Sequence, residues 1–214
     1  MAAWRFHHQL ADECLQEVHR LAAKLESCTE EAPPPPTKRG RQPDAAVRTL
    51  LFQKFGVDVT AVDGVNTHVG YTFLTEVEPD LSRFASPENF ASWLGLCPNN
   101  KVSGNHKLSV STRPVSNRLA TALRMAAQSL NRVESSLGDW FRRMRAKLGP
   151  AGAVTAAAHK LARILYTMIK TGTAFDPSKL GNPALIRQRK ERSLRKQAAL
   201  LGFSLQPAKA GAVS

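Results

Sequence analysis

The sequence predicts a mainly α-helical protein: an N-terminal coiled-coil helix, a Pro-rich linker and a helical domain containing a helix-hairpin-helix element. Three observations predict this. Apolar residues recur in steps of three and four, the spacing that gives a helix one buried stripe. Helix punctuation is frequent, with Ser, Asp or Asn ahead of the periodic segments and Gly behind them. No set of alternating apolar and polar runs is present to build a central sheet.

Residues 1–30 read as the coil. Trp4, His7, Ala11, Cys14, Val18, Leu21, Leu25 and Cys28 follow a heptad seam across 4–28, widened by Leu15 and Ala22. His and Cys make a poor seam, so the helix is expected to project and to pair with another helix, in a second protomer or in a further domain. Residues 31–46 break the period. Pro33 to Pro36 impose polyproline II geometry, and Lys38, Arg39 and Arg41 make the linker basic, either to touch phosphate or to stay solvated.

The helical domain spans 47–206. Asp44 caps a first helix with Val47, Leu50, Leu51 and Phe55 on its apolar face, and Gly56 ends it. Asp58 caps a short turn through Val62. Within 56–78, Gly64-Val65-Asn66 reads as the turn of a helix-hairpin-helix, whose glycines let backbone N–H groups approach phosphate; Asn66 stands where a second glycine is usual. A purely structural helical hairpin fits the same residues. Ser86 and Pro87 start a helix that ends at Gly95. From Pro114 the chain reads helical, with Val115, Leu119, Leu123, Ala126, Leu130 and Val133 on one face. Helices follow at 137–148 and 151–170, the second with Val154, Leu161, Leu165 and Met168 as its stripe. A basic helix covers 182–202, from Asn182-Pro183 to the stop at Gly202, and 207–214 is a frayed tail. Trp93, Phe90, Leu119, Leu123, Leu161 and Leu165 are expected in the core, and irregular structure is expected at 96–113.

The chain has 214 residues and a net charge of +13. The placement of that charge is more informative than its size. Residues 1–100 hold 9 Lys and Arg against 13 Asp and Glu, a net of −4, whereas 101–214 hold 21 against 4, a net of +17. A solubilising surface mixes both signs; this asymmetry points to a polyanion. The 3 cysteines, Cys14, Cys28 and Cys97, form no CxxC pair, so neither a disulfide framework nor a zinc site is suggested. No apolar run is long enough to span a membrane, and the N-terminus lacks a signal-peptide core.

The loop at 96–113 is long for a compact domain. It carries Ser103-Gly104 between Lys101 and His106-Lys107, with Arg113 and Arg118 beyond. A hydroxyl beside a glycine and ringed by cations suits phosphoryl chemistry: the hydroxyl attacks phosphorus, and fixed cations stabilise charge on the phosphoryl oxygens. Ser109 and Ser111 compete for the role. A turn serine bonding its own backbone also fits. Arg142, Arg143 and Arg145 add a cationic run for backbone phosphates.

Several motifs in order resemble one family. They are Ser82-Arg83-Phe84, Phe90-Ala91-Ser92-Trp93-Leu94-Gly95-Leu96, Pro98-Asn99-Asn100-Lys101-Val102-Ser103-Gly104, Ser111-Thr112-Arg113-Pro114, Leu123 to Leu130, Ala158-His159-Lys160-Leu161-Ala162-Arg163 and Lys170-Thr171-Gly172. Over roughly 47–206 the chain resembles the C-terminal domain of the one-hundred-and-ten insertion-sequence transposases. The resemblance implies a DNA recombinase in which Ser103 is the nucleophile, and DNA and a structured bridge RNA as partners. The coil's stripe points to a homo-oligomer, and the unpaired cysteines with no apolar span or signal core point to a bacterial cytoplasmic location with no membrane. The resemblance places the family's magnesium on a RuvC-like DEDD nuclease domain upstream of the coil, so that no cofactor is expected in this chain, which reads as the C-terminal part of a transposase. Asn105 replaces a frequent second glycine, and Ser116-Asn117 a frequent Gly-Asn. A non-catalytic nucleic-acid-binding module and an inactive transposase remnant are the alternative readings.

Overall fold

A computed structural model describes residues 1–36, 44–77, 79–98, 101–103, 106–109, 112–180, 183–204 and 206. The elements run α1 (Ala2–Ala23), α2 (Ala45–Phe55), α3 (Thr67–Val77), α4 (Pro87–Trp93), β1 (Lys101–Ser103), β2 (His106–Ser109), α5 (Arg118–Ser129), α6 (Ser136–Thr171) and α7 (Pro183–Leu200). Short 3-10 turns lie at Val59–Ala61, Leu130–Arg132 and Pro177–Leu180. The mainly helical fold class is therefore observed. The basic linker residues Lys38, Arg39 and Arg41, the loop residues Gly104, Asn105 and Ser111, the helix-start Asn182 and the tail 207–214 lie outside the described residues.

Helix starts follow their caps. Asp44 Oδ1 accepts from the Ala46 and Val47 amides at 3.0 and 3.3 Å. Ser86 Oγ accepts from Asn89 N at 3.1 Å with Pro87 as the first helical residue. Asn117 and Ser135 cap α5 and α6 in the same way. Helix α5 thus begins at Arg118 rather than at Pro114. Gly56 and Gly172 end α2 and α6 in left-handed backbone, with φ of +68° and +64°.

The core is an aromatic and leucine cluster between α3, α4, α5 and α6. Phe55, Phe73, Phe90, Phe84 and Tyr166 form a chain of ring contacts with centroids 5.0–5.7 Å apart. The buried Tyr166 hydroxyl donates to Phe84 O at 2.7 Å, stitching α6 to the segment before α4. Leu119, Leu123, Leu161 and Leu165 are buried as the periodicity predicts. Trp93 is not: it is 38% exposed, at the last position of α4. One side of its ring shields Phe84 and Phe90 while the Arg83 guanidinium lies 5.0 Å from the ring centroid. Val115, expected on the α5 face, lies in the extended segment before that helix and is exposed.

Helix α1 ends at Ala23, short of Cys28. Its exit is locked to α2 instead. The buried Lys54 ammonium donates to Ala23 O and Ser27 Oγ at 3.0 Å and also to Leu25 O, taking carbonyls that a longer helix would use. Cys28 N donates to Gln53 O at 2.8 Å. Ala22 is buried and His19 meets the Tyr71 ring edge-on at 5.2 Å. Of the seam, Val18 and Leu25 are half-buried, and Trp4, His7, Cys14, Leu21 and Cys28 are exposed.

Helix α6 is broken at Gly149, whose φ and ψ are 75° and 172°, ahead of Pro150. The two helices expected at 137–148 and 151–170 are its two limbs. Lys160 Nζ lies 4.8 Å from the Trp140 ring centroid. Twenty residues of straight helix would separate them by about 30 Å, so the limbs fold back on one another.

Candidate nucleic-acid interface

The 96–113 segment is not irregular throughout. β1 and β2 pair antiparallel with Ser103 opposite His106, Val102 opposite Lys107 and Lys101 opposite Ser109, with a register irregularity after Lys101. An isolated bridge joins Pro98 to Thr112 at the base. Ser103 and His106 are the described residues on either side of positions 104 and 105. Ser103 therefore stands on a strand next to the hairpin tip. The backbone register places Lys101, His106 and Lys107 on the same hairpin.

Arg113 anchors the base. Its guanidinium donates to Ser92 O at 2.7 Å, satisfying a carbonyl in the last turn of α4. Arg118 is 78% exposed and reaches Glu76 at 3.5 Å. Such an exposed pair contributes little to stability, which leaves the cation available to solvent and to phosphate. Cys97, beside the hairpin base, has its thiol pushed up by burial, the opposite of an activated nucleophile.

The arginine run divides by task. Arg142 donates to Asn131 O and Val133 O at 3.2 and 3.0 Å and to the Asp139 carboxylate, so it holds the turn between α5 and α6. Arg145 donates to Asn131 Oδ1 at 3.1 Å while remaining exposed, and Arg143 is exposed. The Gly64 turn is packed inward: its φ is +81° and a Cβ there would meet Ala126 O at 2.7 Å. Asn66 Oδ1 accepts from Val69 N at 3.0 Å and caps α3.

Two clefts flank the second limb of α6. The smaller, about 540 Å³, is lined by Arg124, Asn131 and Arg145. The larger, about 1150 Å³, carries His159, Lys160 and Arg163, and Pro98 and Thr112 from the hairpin base lie on its rim. Sequence reasoning quoted the His159-Lys160 to Arg163 stretch as a motif but gave it no role. Burial, then Arg163, holds the His159 imidazole below the ordinary histidine value, with Glu88 opposing. Burial, then Arg163 and Arg143, depresses Lys160. The Glu88 carboxylate pairs with Arg163 at 2.6 Å. Lys160, Arg163 and Lys179 thus line the cavity against Asp176 and the Glu88 paired with Arg163, an excess of positive charge that favours an anion.

Residues 58–142, from the Asp58 turn through the hairpin to the first limb of α6, match the model of the family described as Transposase IS116/IS110/IS902. A protein of Sinorhizobium fredii named "Putative transposase y4pF/y4sB" is 29% identical over 113 residues, covering 50% of this chain and 29% of that protein. The alignment thus spans under a third of that relative's length. Among the described residues no helix is long and apolar enough to cross a membrane.

Proposed function

We propose that this chain is the serine-bearing C-terminal part of an insertion-sequence transposase of the one-hundred-and-ten type, holding DNA and a structured guide RNA while Ser103 serves as nucleophile. The observation that carries this reading is the family match over 58–142, which contains the hairpin bearing Ser103. The net of +17 after residue 100 and the cation-bearing cleft that Pro98 and Thr112 of the hairpin base help to line support it.

In the proposed step, Ser103 Oγ attacks a backbone phosphorus, one phosphorus–oxygen bond breaks, and a free sugar hydroxyl leaves with a proton. The phosphoserine conserves the phosphodiester's energy. Attack by a strand hydroxyl then reverses the chemistry and rejoins DNA without ATP. Cations of the hairpin and of the α5 start, including Lys101, Lys107 and Arg118, supply charge stabilisation. Among the described residues no three His, Cys, Asp or Glu side chains are grouped as metal ligands would be. Magnesium belongs, on the resemblance, to the acidic residues of a DEDD nuclease domain with which this chain acts. The projecting α1 is the proposed contact to that domain or to a second protomer.

The test is an adduct assay. With a matching DEDD domain, guide RNA and magnesium, the chain is expected to form a protein–DNA adduct whose nucleotide remnant maps to Ser103 by mass spectrometry. Ser103→Ala abolishes the adduct and leaves DNA binding intact; Ser109→Ala and Ser111→Ala retain it. An adduct that survives Ser103→Ala removes the nucleophile assignment. A binding module without catalysis would show tight binding and no adduct with any serine.

A further inference from the structure

The larger cleft asks for a specific occupant. It lies between the two limbs of α6 and the 173–180 segment, with Leu148, Ile164, Phe175 and Leu180 on its apolar side. Trp140 lines it as well, with Lys160 Nζ over its ring, 4.8 Å from the centroid. The nearby acids are Asp176, which accepts from Ser178 N and Oγ, and Glu88, which is paired with Arg163. An anion would relieve the mutual repulsion of Lys160 and Arg163. A planar apolar group would fill the wall beside Trp140. Phosphate joined to a nucleobase supplies both, and a cleft of about 1150 Å³, above the ~300–1,000 Å³ of usual small-molecule sites, has room for them.

We infer that this cleft receives one unpaired nucleotide of a DNA or RNA strand, its base against Trp140 and the apolar wall and its phosphate on Lys160 and Arg163. The inference rests on the nucleic-acid reading proposed above. It adds a role for unpaired strands: Pro98 and Thr112 at the rim carry the hairpin, so the captured nucleotide lies beside the strand bearing Ser103. Stacking on an aromatic side chain is tolerant of base identity, so the site selects single-strandedness rather than sequence.

The experiment uses the full chain and a short oligothymidylate with one central 2-aminopurine, as a DNA or RNA single strand and annealed in a duplex. Thermal melts establish that each variant is folded. The single strand is expected to change its 2-aminopurine emission on binding and the duplex is not. Ala156→Trp fills the cleft without removing a charge and is expected to weaken single-strand binding about tenfold, within the range of one lost stack. It leaves duplex binding unchanged. Lys160→Met is expected to lower single-strand affinity similarly if Ala156→Trp does not fold. A preference for the DNA or the RNA strand identifies the source. Equal binding of single strand and duplex, insensitive to both variants, overturns the inference while steep salt-dependent duplex binding leaves the function standing. A change in oligomer mass with Ala156→Trp and unchanged single-strand binding also overturns it, assigning the cleft to a second copy of the chain. Absence of any nucleic-acid binding overturns both.

Discussion

Lys54 is buried, and its ammonium is surrounded by neutral oxygens rather than by a carboxylate. Lys54→Met removes the donor and strands the carbonyls of Ala23 and Leu25, so it is expected to cost about 1–3 kcal/mol in urea unfolding. Amide exchange should quicken in α1 first. Tyr71 is the reverse case. Its hydroxyl is buried with no hydrogen-bond partner among the described residues, so Tyr71→Phe is expected to leave stability unchanged or slightly higher in the same assay. Arg142 and Arg143 are neighbours with different duties. Arg142→Ala leaves the Asn131 and Val133 carbonyls without their donor and should lower stability by about 1–3 kcal/mol. Arg143→Ala should alter stability by less than about 0.5 kcal/mol and weaken nucleic-acid binding. His159 gives a pH dependence. Its folded value is depressed, so the folded protein favours the neutral ring, and stability falls as pH drops below the ordinary histidine value, where the unfolded chain binds the extra proton. A bound phosphate favours the charged ring. Affinity for nucleic acid should therefore rise as pH falls from 7 toward 5, and His159→Gln should flatten that rise.

Among the elements, those legible in the sequence were the ones defined by local chemistry. Asp44, Asp58 and Ser86 mark helix or turn starts by their own side chains, and Gly56 and Gly95 mark stops by positive φ. The buried stripe of α6 follows from the helical period, and Leu161→Ala at that fully buried site should cost about 2–5 kcal/mol. The hairpin was missed because strands of three and four residues show too little alternation to be read; the Gly104-Asn105 pair between them was its one local signal. Trp93 was misplaced because periodicity assigns a face and cannot say that the helix ends at the domain's rim. The larger cleft is a long-range feature. It depends on Gly149 folding one limb of α6 against the other, which no local pattern around Trp140 or Lys160 encodes. Helix α1 keeps an exposed Leu21 and Trp4; Leu21→Asp should shift association in sedimentation if a second protomer covers that face, and should leave the mass unchanged if another domain does.

At the scale of the whole molecule, the charge asymmetry and the fold point the same way. An N-terminal stretch of net −4 contains α1, α2, α3 and α4, while the +17 half supplies the hairpin, the two-limbed helix and the exposed, basic α7. Non-specific affinity of such a surface comes from displaced counterions, so it carries a signature independent of sequence. The most direct test is a salt titration of binding to a labelled DNA duplex, followed by fluorescence anisotropy. With about five phosphates neutralised, log affinity should fall against log salt with a slope near −4 or steeper, and unrelated duplexes should give the same slope. Binding that is absent, or flat across the salt range, would contradict the account.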